Sequence, residues 1–313
     1  MTNVGRRHFL GGLLSAALCE RLLGKTTGDP TLRIGFISDS HVCLMMPDNN
    51  KAFEKALAYL AARNVDVVVI SGDVTEFGTP EELQIVIDTW NRAFPGGRAA
   101  DGRTTAKFIA WGNHDYACAS YMGRMTKQQL RGAFPRMLID EKAYWWERIC
   151  GEDFPGEVFS KTFNGIPFVG AHWGHEEESV DWMKAHPEAV DISKFFVHVE
   201  HPHPPKTVYD QPGGPKAVRK FLNAHPNCLS LSGHSHLSAA DSRALWRGSF
   251  TAMTGSTPSR HAMVLGVYPD RLLIERRDLK HDCPAGPDWA LPFPLVGNPA
   301  APFDHPVANP LVV

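Results

Sequence analysis

Three times within the first 115 residues, a short apolar run stops at a knot of acid, imidazole or amide side chains. Leu32-Arg33-Ile34-Gly35-Phe36-Ile37 ends in Ser38-Asp39-Ser40-His41, and Val67-Val68-Val69-Ile70 ends in Ser71-Gly72-Asp73-Val74. Phe108-Ile109-Ala110 ends in Trp111-Gly112-Asn113-His114-Asp115. Runs of this length read as buried strands, and the second, apolar throughout, fits a strand covered on both faces. Helical patterns lie between them. Phe53, Leu57, Leu60 and Ala61 recur at helical spacing over about residues 50–64. Thr79-Pro80-Glu81-Glu82 supplies a cap, a first-turn proline and a capping box, and Leu83, Val86, Ile87 and Trp90 form the apolar face behind it. Repeated strand–helix units predict a parallel sheet, and ligands gather beyond the carboxyl ends of such strands.

The rest of the chain continues the theme. Asn164-Gly165 between the runs 159–163 and 166–169 predicts a hairpin. Tyr144, Trp145 and Trp146 read as core or lid packing. His172 and His175, with Glu176, Glu177 and Glu178, make an acidic loop, solvated or metal-binding. Phe195-Phe196-Val197 begins a strand that runs into His198-Val199-Glu200-His201-Pro202-His203-Pro204. A helix is expected over 216–223, with Val218, Phe221 and Leu222 inward. Leu229 and Leu231 mark a short strand ending in Ser232-Gly233-His234-Ser235-His236. Phe250, 263–268 and 272–275 read as closing strands, and the Pro-rich stretch beyond Cys283 as an extended surface wrap. Asp39-x-His41 and His234-x-His236 place both side chains on one side of an extended chain, because side chains repeat every two residues. That spacing suits chelation of one ion.

Composition narrows the partners. A formal charge of −2 over 313 residues gives no bulk attraction to nucleic acid or to an anionic membrane surface. The six cysteines (Cys19, Cys43, Cys118, Cys150, Cys228, Cys283) are scattered without a CxxC pair. They read as isolated buried thiols or, at most, one disulfide. The N-terminus has the layout of an export signal: Arg6-Arg7-His8-Phe9-Leu10, then an uncharged stretch to Cys19, with Ser15-Ala16-Ala17 as small residues near a cleavage point. The paired arginines before Phe-Leu resemble a twin-arginine signal, read by export machinery rather than acting as an anchor, and the apolar segment is too short to span a bilayer comfortably. An amphipathic N-terminal helix on the folded domain is the other reading.

Asp39, His41, Asp73, Asn113, His201, His234 and His236 form a set of oxygen and nitrogen donors without a thiolate, suited to Mn²⁺, Fe, Zn²⁺ or Ca²⁺. They are too many for one ion and suit two that share a carboxylate, an arrangement that activates water and neutralises phosphoryl oxygens. Asp39-x-His41, Gly72-Asp73, Gly112-Asn113-His114-Asp115, His201 and Gly233-His234-x-His236 resemble, in order, the motif blocks of the calcineurin-like metallophosphoesterase superfamily. The stretch from His201 through Trp246 is similar to exported bacterial members. The resemblance implies an α/β fold: a four-layer α-β-β-α sandwich of two mixed sheets, with a dinuclear site at the strand C-terminal edge. It would occupy residues 30–282, after a leader at 1–29 and before a tail at 283–313.

Position by position, the resemblance implies that Asp39, His41 and His236 hold the first metal, that Asp73 bridges, and that Asn113, His201 and His234 complete the second. Two divalent ions (Mn, Fe or Zn) are the implied cofactors, and a metal-bridging hydroxide the implied nucleophile. His114 matches the family's non-ligand histidine, which contacts phosphate and protonates the leaving group; Asp115 would fix its tautomer. His198 and His203 compete with His201, which is preferred because it sits where the strand gives way to prolines. Purple acid phosphatases carry a tyrosine ligand three positions after the bridging aspartate. Glu76 stands there instead, so a tyrosinate-ligated ferric site is not supported. Cys43 is read as a buried thiol rather than a ligand. The implied activity is hydrolysis of a small phosphomonoester or phosphodiester. A non-catalytic scaffold on the same fold and a nuclease are the alternatives; the complete ligand set disfavours the first, and the missing basic groove the second.

Overall fold

The computed structural model describes residues 28–116, 127–208, 213–255 and 260–308. Three parallel strands, β1 (Leu32–Ile37), β2 (Val67–Ser71) and β3 (Ala106–Ala110), form one half of the first sheet. Helices α1 (Pro47–Ala62) and α2 (Pro80–Ala93) make the crossovers. Thr79 caps α2 as expected: its hydroxyl accepts the Glu82 N–H, and the Glu82 carboxylate accepts the Thr79 N–H. Helices α3 (Lys127–Ala133) and α4 (Lys142–Cys150) follow β3. Trp145 and Trp146 of α4 are buried, Trp146 edge-on to Trp111 and Phe159, so this aromatic run is core.

The second sheet starts with the predicted hairpin of β4 (Val158–Phe163) and β5 (Ile166–Ala171). Asn164 and Gly165 both have positive φ (48° and 79°), the geometry that a two-residue hairpin turn requires. Strands β6 (Phe196–Val199), β7 (Cys228–Ser232) and β9 (Thr251–Thr254) run parallel to β5, and β8 (Leu245–Arg247) closes the edge antiparallel. Helices α5 (Glu176–Ala185) and α6 (Lys216–Leu222) cover its outer face through Val180, Met183, Val218 and Leu222. Strands β10 (His261–Val267) and β11 (Arg271–Asp278) return to the first sheet, antiparallel beside β1.

One buried cluster spans both sheets, including Phe36, Phe108, Phe168, Val197, Leu229 and Met253. Strand β1 displays the layering. Gly35 leaves room for Leu60 of α1, while Phe36, on the other face, meets Gly255 just after β9. The architecture is thus the four-layer α-β-β-α sandwich of two mixed sheets that the family resemblance implies.

The stretch beyond Cys283 is more than a surface wrap. After the short β12 (Cys283–Pro284), β13 (Trp289–Pro292) pairs with β11, and Trp289, Leu291 and Leu295 are buried. The Arg276 guanidinium lies 3.7 Å from the centre of the Trp289 ring. Prolines at the ends of a strand do not prevent pairing between them, and Trp289 of β13 also bridges to Val307. Cys43, Cys150, Cys228 and Cys283 are free thiols. The expected leader at 1–29, with Arg6, Arg7 and Cys19, lies outside the described residues up to residue 27, as does Cys118. Among the described residues no helix is long and apolar enough to cross a membrane.

Candidate metal centre

The polar knots of β1, β2, β3, β6 and β7 meet at one rim, beyond the carboxyl ends of these strands. Backbone bonds zip the first two loops together: Asp39 N–H to Gly72 O (3.0 Å), His41 N–H to Asp73 O (2.9 Å) and Val42 N–H to Val74 O (2.9 Å). The carboxylates are aimed by amides of other loops. Asp73 Oδ1 accepts the His114 N–H at 2.8 Å, and Asp39 Oδ1 accepts the His234 N–H at 2.9 Å.

Asp39 and His41 share one site as expected, but His234 and His236 divide between two groups of donors, and neither pair is placed by an extended strand. None of the four is extended: their φ values are 52°, 45°, 65° and 51°, and that of Asp73 is 47°. Left-handed backbone at non-glycine residues is uncommon and costs energy. Five of the eleven such residues described are candidate ligands, so the convergence is produced by tight left-handed turns, not by strand alternation. Gly72 serves the same end. Its φ is 93°, and a Cβ there would overlap the His201 ring.

Two groups of ligating atoms meet at Asp73, each within 4.8 Å: Asp39, His41, Asp73 and His236, and Asp73, His201 and His234; a third, His41, Glu76 and His114, lies beside the first and shares His41 with it. Asn113 joins the second group, with its Oδ1 3.1 Å from His234 Nδ1. His41 Nε2 faces His236 Nε2 at 3.1 Å. His201 Nε2 stands 3.0 Å from Asp73 Oδ2, yet neither it nor the buried Asp39 Oδ2 has a hydrogen-bond partner in good geometry. Buried donor atoms crowded this closely without a hydrogen bond to satisfy them are costly, so the set fits divalent cations. The rear nitrogens are engaged: His41 Nδ1–H donates to Glu76 Oε2 at 2.8 Å, and His201 Nδ1–H to Ser71 O at 2.7 Å. Such contacts fix the tautomer and turn the Nε2 lone pair toward a metal.

This geometry separates His201 from its neighbours. His198 lies on β6 with its Nε2 3.1 Å from Ser179 Oγ of α5, under the helical layer. His203 is buried and belongs to none of these groups of ligating atoms. The Cys43 sulfur accepts the Met45 N–H at 3.4 Å within its own loop.

The expected role of Asp115 is corrected. Its oxygens accept from Val74 N–H (3.2 Å), Thr75 N–H (2.9 Å), Thr75 Oγ1 (2.7 Å) and Gly112 N–H (2.8 Å). It ties the second and third loops together instead of orienting His114. The residue at the His114 ring is Glu76, which the sequence marked only as an absent tyrosine. His114 Nδ1 lies 3.2 Å from the Glu76 carbonyl and 3.3 Å from its Oε1. Trp173 was also missed; its ring centre lies 5.6 Å from that of His234 and 5.9 Å from that of His201. The acidic loop divides. His175 pairs with Glu178 at 3.0 Å. His172 is buried among aromatic rings and accepts the Trp111 N–H at 2.9 Å; burial pushes its pKa down to about 3.

Charge coupling follows the geometry. Burial opposes ionisation of Asp73, but the His201 ring beside it holds the carboxyl well below the usual range. Burial likewise disfavours charge on His201, and Asp73 overcomes it, carrying the imidazole up to about 10. Burial raises Glu76, but the His114 and His41 rings prevail and hold it down to about 2. Burial lowers His114; the Glu76 carboxylate and the Asp73 charge more than reverse this.

A rim of nitrogen and oxygen donors sharing one buried aspartate, at the carboxyl edge of a two-sheet sandwich, defines the class of dinuclear metallohydrolases. The calcineurin-like phosphoesterase family matches residues 32–238, and the chain belongs to that family: it is a phosphoester hydrolase with two divalent metal ions. The fold is shared with a dimetal phosphatase from Danio rerio (TM-score 0.56, 13% identity, covering 85% of this chain and 100% of that one). It is also shared with a purple acid phosphatase from yellow lupin (Lupinus luteus) seeds (TM-score 0.53, 12% identity, 81% of this chain and 52% of that one). No curated protein sequence matches the chain.

Proposed function

We propose that this protein is an exported hydrolase of small phosphomonoesters or phosphodiesters. In this reading Asp39, His41, Asp73 and His236 hold one divalent ion and Asp73, Asn113, His201 and His234 the other. Mn²⁺, Fe or Zn²⁺ suits the donor set. When bound, the ions supply an activated water and neutralise the phosphoryl oxygens. The chain contributes the rest. Loop amides hold Asp39 and Asp73 in fixed orientation. Glu76 keeps His41 in the tautomer that presents Nε2. His114, on the rim and protonated with the help of Glu76, hands a proton from Nε2 to the departing ester oxygen. The one observation that carries the reading is Asp73, buried and common to both groups of donors.

Near-neutral charge favours a small substrate over a long polyanion. Export through twin-arginine machinery is supported by Arg6-Arg7 and the uncharged stretch after it, and suits a protein that loads metal before transport.

The test is metal-reconstituted protein assayed against p-nitrophenyl phosphate and its bis ester. Turnover is expected with Mn²⁺ and is expected to vanish in Asp73→Ala. Turnover that survives this change would refute the shared position. Replacing Arg6 and Arg7 by Lys should hold the protein in the cytoplasm; unchanged export would remove the twin-arginine reading.

A further inference from the structure

Few large apolar side chains are exposed among the described residues, and three of them are consecutive: Leu44 (60%), Met45 (73%) and Met46 (37%). They follow His41 in the loop between β1 and α1, on the rim that carries the metal ligands. Three residues of chain reach at most about 11 Å, so Leu44 lies close to His41. The loop is pinned. Asn50 accepts the Cys43 N–H and donates to the Cys43 carbonyl, both at 2.9 Å. Asn49 donates to the His41 carbonyl at 3.2 Å, and its amide also meets Met46 Sδ at 3.6 Å. A held, contiguous apolar exposure marks a binding surface, whereas scattered exposed apolar residues need no explanation. Trp173 lies beside His201 and His234, so another large apolar side chain adjoins the cluster. At the helix end of the loop Asp48 lies 3.4 Å from Lys51 and 3.9 Å from Arg260.

We infer that Leu44, Met45 and Met46 form a platform for an apolar organic group of the substrate, so that the enzyme prefers phosphoesters bearing hydrocarbon chains over small polar ones. This rests on the reading of the rim as the phosphoester site. Methionine is suited to such a surface because its flexible thioether adapts to varied chains.

The experiment uses the full chain loaded with Mn²⁺ and two series. Methyl, butyl and octyl p-nitrophenyl phosphate diesters, with the matching alkyl phosphates, report kcat/KM; methyl-, butyl- and octylphosphonate report Kd by calorimetry. Lengthening the chain from methyl to octyl should raise kcat/KM and tighten Kd about tenfold or more, from partial burial of the added methylenes. In the triple variant Leu44→Ser, Met45→Ser, Met46→Ser the dependence on chain length should flatten, with retained Mn²⁺ content reporting an intact fold. Equal constants across the wild-type series, or a slope that the triple variant keeps, would overturn the platform. So would a variant that changes only self-association or vesicle binding, which would assign the loop to a second copy or a lipid surface. If no ester turns over, the hydrolytic reading fails separately, and the phosphonate series still decides the platform.

Discussion

Glu76 accepts the Nδ1–H of His41 at 2.8 Å, and its other oxygen lies 3.3 Å from Nδ1 of His114. One carboxylate therefore steadies a candidate metal ligand and the candidate proton donor together. Glu76→Gln keeps the size and an acceptor oxygen but removes the charge. It should weaken Mn²⁺ binding about tenfold to a hundredfold, as loss of a ligand's supporting contact does, measured by competition with a chelating dye. It should also move the alkaline fall of kcat to lower pH. Glu76 raises the His114 pKa, so without its charge His114 gives up its proton sooner as pH rises. A pH profile unchanged in this variant would separate Glu76 from His114.

His114 is not in either group of ligating atoms around Asp73. His114→Ala should therefore retain two metals per chain by elemental analysis and lose rate. The loss should be about 10²–10⁴-fold, greatest for poor leaving groups, which need protonation most. Metal loss in this variant would show that the ring has been given the wrong role.

Much of the architecture is legible in the residues themselves. Three strand ends with polar knots, separated by helical periods, predict a parallel core; Asn164-Gly165 predicts the hairpin; Thr79 and Glu82 predict a helix start. The candidate donors stand out for the same reason, because ligand types gather at the ends of apolar runs. How the donors converge was not legible. Alternation along a strand predicts one shared site for Asp39 with His41 and one for His234 with His236; only the first pair shares a site, and both pairs stand on left-handed turns, which at aspartate and histidine carry no composition signal. Asp115 and Glu76 exchanged parts for a related reason. Sequence adjacency puts Asp115 beside His114, but the chain turns at Asn113 and sends the carboxylate toward Thr75, while Glu76 arrives from another loop. The strand Trp289–Pro292 was hidden by the prolines around it, which weaken a strand reading without forbidding pairing at positions between them.

Gly112 offers a test of how closely the loops approach. A Cβ at this position would overlap the backbone N and Oδ1 of Asp73. Gly112→Ala should push the second and third loops apart and misplace the shared carboxylate. Trp111 beside it belongs to the buried core, so a far-UV spectrum like that of the parent must first show that the fold survives. Metal content should fall below two per chain and turnover with it. Full loading in this variant would mean that the Asp73 loop yields without cost.

Glu82 gives the protein a pH-dependent stability separate from the chemistry. It is buried at the start of α2, and burial pushes its pKa from 4.5 up to about 7, against the Phe77 and Thr79 amides that favour the anion. A carboxyl whose folded pKa is raised binds its proton more tightly folded than unfolded. Its contribution is fully present below about pH 4.5 and is lost as pH rises through about 7. The shift corresponds to about 3 kcal/mol over that window. Glu82→Gln preserves the capping box, where glutamine is also accepted, and cannot ionise. The variant should match or exceed the parent in denaturant stability at pH 8, and the part of the slope between pH 4.5 and 7 that belongs to Glu82 should vanish. Urea melts at several pH values decide it: parallel curves for parent and variant would place the Glu82 charge in water rather than beneath the loop.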